Sequence, residues 1–556
     1  MYTYRRFNIL TASAKRALTF LAICGGATSP LAPAATTTPV VQISVDAQAN
    51  RHFINPYIYG INFGTTETLY DLRATVNRAG GDSASMYNWR LDARNAGSDW
   101  YFESVPVDVN DPNNQFGGRF VASTMAGSAT PIITLPMIGR VAKVGTNNAK
   151  LASYSLAKYG AQTGSDAYFP DAGTGVYANG TMITNNNPDD ATTTDSAANE
   201  QARVTALVQQ FGTAMTGGVR YYAMDNEPSL WQNIHRDVHA TGAHASEIAN
   251  SVITYSAAVK AADSGAKVVA PEEWGWGGYF HSGYDQQYTA THGYAVTPPD
   301  ATNQTGGMDY VPWLLKTWKA AGHPIDVFSL HFYPQSGEYS ADANSQTTAL
   351  MLQRNVSTRD LWDKQYKDPT WINSVVALIP TMRSWVNKYY YVGTPIAITE
   401  YNWGGDTIMN GATAQADILG IFGREGLDMA TRWGTIDSTM PVYKAFKLYR
   451  NYDGKGSGFG STSIAATVPN PDNVSAFAAI RSDKAVTVML INKQLNTSAN
   501  VNVSLANMAT AGTAQVWQLA SNATTRLSDT SYSSGQLNMT VPAQSVTLLV
   551  LPNAAQ

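Results

Sequence analysis

Eight short apolar runs recur between residues 57 and 433, and amphipathic stretches separate them. The runs fall at 57–62, 83–88, 131–136, 219–227, 267–272, 326–333, 395–400 and 427–433. Residues 199–215, 246–262, 310–321, 372–389 and 412–422 space their apolar positions by three and four, which is the helical period. Strand–helix alternation of this kind predicts an α/β chain built from parallel β/α units, closing as a (β/α)8 TIM-like barrel over 55–450. An open doubly wound sheet would want a glycine-rich phosphate loop after its first strand, and none follows residue 62.

Past residue 450 the texture changes. A glycine-rich stretch at 451–461 leads into runs that alternate with period two, at 486–491, 500–505, 514–519 and 546–551. Turn residues separate them at short intervals, which predicts an all-β sandwich over 451–556. The strand-like residues 40–45, within 35–54, have no place in an eight-stranded barrel and are expected to pair into that sandwich. Residues 185–195 read as an exposed insertion loop.

Residues 1–34 read as an export signal. Arg5, Arg6, Lys15 and Arg16 make a basic head, residues 17–23 an apolar core, and Ala32-Pro33-Ala34 a small-residue cleavage site. Losing this segment takes four of the 37 cationic residues and none of the 41 acidic ones, so 33 face 41 and the net charge is −8. A nucleic-acid partner would want the opposite sign. No other stretch is long enough to span a bilayer. The expected product is a secreted monomer with neither a membrane nor a nucleic-acid partner. The single cysteine, Cys24, lies in the leader. The mature chain would then have no disulfide, no thiolate nucleophile and no cysteine-ligated zinc. A lipid anchor on Cys24 would want a small residue before it, where Ile23 stands.

In a β/α barrel the C-terminal strand ends face the site. Here they carry Asn62, Asn88, Asn226 with Glu227, Glu272 with Glu273, His331 with Tyr333, Glu400 and Trp433. Each also has a plain reading as a turn or core residue. Glu227 and Glu400 directly follow apolar runs on the fourth and seventh strands, and glycoside hydrolysis needs one such carboxyl pair across the scissile bond. Asn226 suits a sugar 2-hydroxyl, and His331 and Tyr333 suit holding and tuning a carboxylate. Trp231, Trp274, Trp276, Trp403 and Trp433 lie near these positions, and exposed indoles suit pyranose faces.

Other chemistries are less well supplied. His235, His239 and His244 lack zinc-protease spacing and read as surface or loop histidines. No G-x-S-x-G elbow follows a strand. The chemistry requires no cofactor and no catalytic metal; a structural calcium in an Asp- and Asn-rich loop stays open, without a spacing to mark it.

Longer strings add a resemblance. They are Arg78-Ala79-Gly80-Gly81-Asp82 with Tyr87-Asn88-Trp89, then Asn95-Ala96-Gly97-Ser98-Asp99-Trp100 and Asp225-Asn226-Glu227-Pro228-Ser229-Leu230-Trp231. Further on stand His331-Phe332-Tyr333-Pro334, Ile398-Thr399-Glu400-Tyr401-Asn402-Trp403-Gly404-Gly405 and the stretch 414–422. Over most of its length the chain resembles glycoside hydrolase family 44, secreted endo-β-1,4-glucanases and xyloglucanases with a barrel and a β-sandwich. The resemblance implies Glu227 as acid/base, Glu400 as nucleophile, retention of configuration, and a β-glucan polysaccharide as partner. Trp89 joins the expected substrate-binding residues. Gln335 departs from the family string, where an acidic residue is expected, and bears on subsite detail or a nearby ion. A xylanase or mannanase, and a carbohydrate-binding protein without catalysis, are the alternatives.

Overall fold

The computed structural model describes residues 39–108, 110, 115–339 and 344–555; the expected leader at 1–34, with Cys24, lies outside them. Eight parallel strands close into a barrel. In chain order they are β1 (Gly60–Asn62), β2 (Val76–Ala79), β3 (Thr130–Leu135), β4 (Tyr221–Met224), β5 (Lys267–Glu273), β6 (Val327–Phe332), β7 (Ile396–Tyr401) and β8 (Met429–Arg432). Seven of these fall within or across the expected runs. The second does not: residues 83–88 open as part of the short helix Asp82–Ser85, and the strand is Val-Asn-Arg-Ala at 76–79. Its polar middle hid it, because Asn77 and Arg78 are wholly buried inside the protein rather than exposed.

Along each strand alternate residues point into the barrel. Near its N-terminal end the interior is one apolar cluster of Val76, Ile132, Tyr221, Ala223, Val269, Val327, Ala397 and Met429. Two residues further along the same strands the buried positions turn polar: Arg78, Thr134, Ser329, Thr399 and Thr431. The ladders are regular through the apolar layer. Register shifts fall between Pro271 and Glu273, between Leu330 and His331, and between Ile398 and Tyr401. Such irregularities re-aim side chains at a barrel rim, and these three sit beside Glu272, His331 and Glu400.

Four of the five expected helices begin within about three residues of where the apolar spacing predicts. Ser196 caps Ala197–Phe211, and His244 with Glu247 forms a capping box on Ala245–Ala262. The expected helix at 372–389 covers only Leu378–Tyr389. The loops above β2 and β3 carry a small sheet of Ala93–Asn95, Glu103–Pro106 and Leu151–Ala152. Part of the expected loop at 185–195 is strand, with Thr192–Thr194 paired to Arg140–Ala142.

Eight strands between Thr462 and Leu551 form the C-terminal β region. Val41–Asp46 pairs parallel with Ala499–Ala506 and antiparallel with Thr462–Thr467. The seam with the barrel is the helix Met409–Arg424, buried from Asn410 through Gly423. A helix buried on every side belongs between two layers. Gly420 permits the approach, since a Cβ there would lie 2.2 Å from the Phe477 ring. Lys493 of the β region pairs with Asp417 of this helix at 2.9 Å, both nearly sealed from solvent. Among the described residues no helix is long and apolar enough to cross a membrane.

Candidate active site

The polar upper layer of the barrel converges on Glu227 and Glu400. Glu400 sits in β7, and Glu227 follows β4 in the left-handed region at φ 47°; Asp225 and Glu272 share that conformation at 63° and 60°. A non-glycine residue held there costs about 1–3 kcal/mol, a strain that clusters at functional sites. Local hydrogen bonds hold it in place. The Asp225 carboxylate accepts from Ser85 Oγ at 2.5 Å, from the Asn226 amide at 2.7 Å and from the Met137 amide. The Glu227 amide donates to the Glu272 carbonyl at 3.0 Å.

Arg78 lies at the centre of the network. Its Nη1 donates to Glu400 Oε1 at 2.8 Å and to Asn62 Oδ1 at 3.2 Å. Its Nη2 donates to Asn226 Oδ1 at 2.9 Å and lies 2.8 Å from Glu272 Oε2. Tyr333 Oη donates to Glu400 Oε2 at 2.8 Å. His331 Nδ1 lies 2.8 Å from Glu227 Oε1 and 3.7 Å from Glu400 Oε2. One carboxyl oxygen each of Glu227 and Glu400 and a ring nitrogen of His331 lie within 4.8 Å of one another.

The two carboxyls have different surroundings. Glu400 takes a guanidinium on one oxygen and a phenol on the other, which suits an ionised group. Burial pushes the Glu227 carboxyl above its usual range, and the negative charge of Glu400 adds to that, against the pull of His331. For His331 burial favours the neutral ring, yet Glu400 and the hydrogen bonds to Glu227 and Glu272 outweigh it and lift its pKa to about 9. For Glu272 burial favours the protonated form, but Arg78 and His331 overcome it and hold the carboxyl down at about 2. Burial and Glu400 raise Tyr333 well above its ordinary value, so it stays a donor. Glu227, His331 and Glu400 have a metal-like spacing, yet both Glu400 oxygens already accept from Arg78 and Tyr333. That donor set fits acid–base chemistry rather than a cation.

The expected site residues divide here. Asn226, Glu227, His331, Tyr333 and Glu400 come together. Trp433 is half-buried beside them, its ring resting on Gly81, whose φ of 72° and 2.4 Å virtual Cβ contact leave no room for a side chain. Trp231 and Trp403 are corrections. They are 1% and 2% exposed, and Trp403 Nε1 donates to Ser357 Oγ at 3.0 Å, so both are core rather than sugar platforms. Trp274 is half-buried, folded over Gly277 and Gly278 with its Nε1 on Gln286. Trp89 is half-buried under the Arg90 guanidinium. His235 is also a correction: it is buried, bonded to the Asp82 carbonyl at 3.1 Å, and burial lowers its pKa to about 3.

Residue patterns gave no role to Arg78, Glu272 or Trp371. The available signal for Arg78 was its place at the head of the string Arg78-Ala79-Gly80-Gly81-Asp82. Trp371 is 58% exposed, and its Nε1 donates to Gln335 Oε1 at 3.0 Å; Gln335 in turn donates to the Tyr333 carbonyl at 2.7 Å. Gln335 is thus an exposed rim residue joining an open indole to the site.

Comparison with known proteins agrees with this geometry. The model of glycoside hydrolase family 44 matches residues 93–336. Endoglucanase A of Paenibacillus lautus is 29% identical over 539 residues, covering 92% of this chain and 72% of its own. Among solved structures, CelM2, a bifunctional glucanase-xylanase from a metagenome library, is 52% identical with a TM-score of 0.90, over 93% of this chain and all of that one. A family 44 xyloglucanase of Paenibacillus polymyxa, solved with xyloglucan, is 28% identical with a TM-score of 0.75, over 92% of this chain and all of that one.

Proposed function

The chain belongs to glycoside hydrolase family 44, and on that premise we propose that it is a secreted, retaining endo-β-1,4-glucanase acting on cellulose-type glucans and xyloglucan. The observation that carries the reading is the close carboxyl pair with unlike partners. Retaining enzymes place their carboxyls about 5–5.5 Å apart and inverting ones about 6.5–9.5 Å apart. An approach within 4.8 Å between one oxygen of each supports retention. Glu400, facing Arg78 and Tyr333, is the nucleophile. Glu227, raised by burial, is the acid that protonates the leaving oxygen and then the base that activates water. Asn226 Oδ1 is anchored by Arg78 and the Gly81 amide, and its Nδ2 donates to Asp82 Oδ1 at 3.2 Å.

The glucanase-xylanase at 52% identity favours xylan as a second substrate. A panel of carboxymethyl-cellulose, xyloglucan, xylan and mannan, with product sizing, tests the reading. The expected result is rapid loss of viscosity and a ladder of oligosaccharides from the two glucans. Release of monosaccharide from chain ends, or cleavage of mannan alone, would overturn it.

A further inference from the structure

Glu272 forms no bond with substrate in the double displacement, yet it joins several parts of the site. It is fully buried at the end of β5. Thr399 Oγ1 donates to its Oε1 at 2.8 Å, while its Oε2 lies 2.8 Å from Arg78 Nη2 and 3.4 Å from His331 Nε2. His331 therefore turns both ring nitrogens towards carboxylates, Nδ1 to Glu227 and Nε2 to Glu272. A neutral imidazole has one N–H and could serve both only by donating from Nε2 to Glu272 while Nδ1 accepts from a protonated Glu227. Arg78 Nη2 donates to Asn226 Oδ1 at 2.9 Å, is ion-paired with Glu272 Oε2 at 2.8 Å, and lies 3.4 Å from Nε2. Charge counting favours the charged ring, since buried charge is costly unless paired. Arg78 and an imidazolium balance Glu272 and Glu400, which leaves Glu227 neutral and able to give a proton.

We propose that Glu272 is a positioning residue that holds His331 as a fixed imidazolium, and that this cation is the shared counter-charge of both reactive carboxyls during turnover. The proposal rests on the double-displacement reading above. In the first step a Glu400 oxygen bonds to the anomeric carbon, the glycosidic C–O bond breaks, and the Glu227 proton passes to the leaving oxygen. Negative charge thereby leaves Glu400, now an ester, and appears on Glu227. His331 Nδ1, 2.8 Å from one carboxyl and 3.7 Å from the other, faces the charge in both states. Water then gives a proton back to Glu227 as its oxygen replaces the ester, and the charge returns to Glu400. The groups facing Glu272 are Arg78 on β2, Ser329 and His331 on β6, and Thr399 on β7. Burial of Glu272 is more than outweighed by these partners.

The test is ¹⁵N-histidine labelling of the full chain, with the His331→Asn spectrum used for assignment. In the wild type at pH 7.5, both His331 ring nitrogens should be protonated. In Glu272→Gln the ring should lose its proton at least about one pH unit lower, the scale of a lost neighbouring charge. The alkaline limb of kcat/KM should then move upward, because a neutral ring lets Glu227 hold its proton more tightly, while KM stays near the wild-type value. Glu272→Asp, which keeps the charge, should keep the ring charged. A singly protonated ring in the wild type overturns the fixed cation, and an unmoved titration in Glu272→Gln overturns the part given to Glu272. This readout needs no hydrolysis, so a charged ring in a protein that inverts or does not cleave would count against the displacement reading alone.

Discussion

The apolar floor of the barrel and its charged mouth are built from the same strands two residues apart. Val76 and Arg78 share β2, and Ala397 and Thr399 share β7 just below Glu400. On the floor, side chains are uncharged and packed, and the ladders keep register. At the mouth the ladders slip, two residues beside Asn226 and one on β5 take left-handed backbone, and the ionisable side chains of Arg78, Glu227, Glu272, His331, Tyr333 and Glu400 meet in little space. The difference teaches where stability is made and where it is given up. The floor pays for the strain of the mouth.

That division can be broken by paired substitutions. Glu400→Gly should lower turnover by at least about 10⁴-fold, as removal of a nucleophile does, with an unfolding midpoint no lower than the wild type's, because sites of this kind trade stability for function. Ile132→Ala on the floor should cost about 2–5 kcal/mol in denaturant unfolding and leave kcat of the folded protein unchanged. An Ile132→Ala protein with native stability and lost turnover would contradict the division.

The seam with the β region sharpens the comparison, because it too carries a buried charge pair but no strained backbone at the pair. Lys493→Met leaves Asp417 unpaired and should destabilise the chain by about 3–5 kcal/mol, with both parts unfolding in one transition. Two separate calorimetric transitions in the wild type would show that the seam does not couple them.

The rim should give the smallest effects. Trp433→Ala and Trp371→Ala should each lower kcat/KM on polysaccharide by about 1–3 kcal/mol, as loss of an aromatic platform does, with little change in stability. Trp231→Ala and Trp403→Ala should do the reverse and lower stability. Equal stability losses in all four would mean that no indole here stacks a sugar.

Much of this was legible in the sequence wherever side-chain pattern and strand end coincide. Glu227 and Glu400 each close an apolar run, and period-two alternation marked the β region. What escaped was a matter of direction. β2 looked polar because both of its polar residues are buried, Arg78 inside the barrel and Asn77 on Gly64 and Thr124 outside it, so Arg78 appeared only within a family string. Trp231 and Trp403 stand in the right strings but turn into the core, and no spacing reveals which way an indole faces at a strand end. Glu272 was visible as a strand-end carboxylate, but its contacts with Arg78 and His331 come from strands 54 or more residues apart in the chain, and closure of the barrel alone brings them together.

The central claim is that Glu400 attacks the sugar while Glu227 supplies the proton. Incubation with a 2-deoxy-2-fluoro cellobiosyl fluoride, followed by peptide mass mapping, tests it directly, since the fluorine slows release of a covalent intermediate. The expected result is one added glycosyl group, carried by the peptide that contains Glu400. A label on Glu227, or no label together with a first product of inverted anomeric configuration, would contradict it.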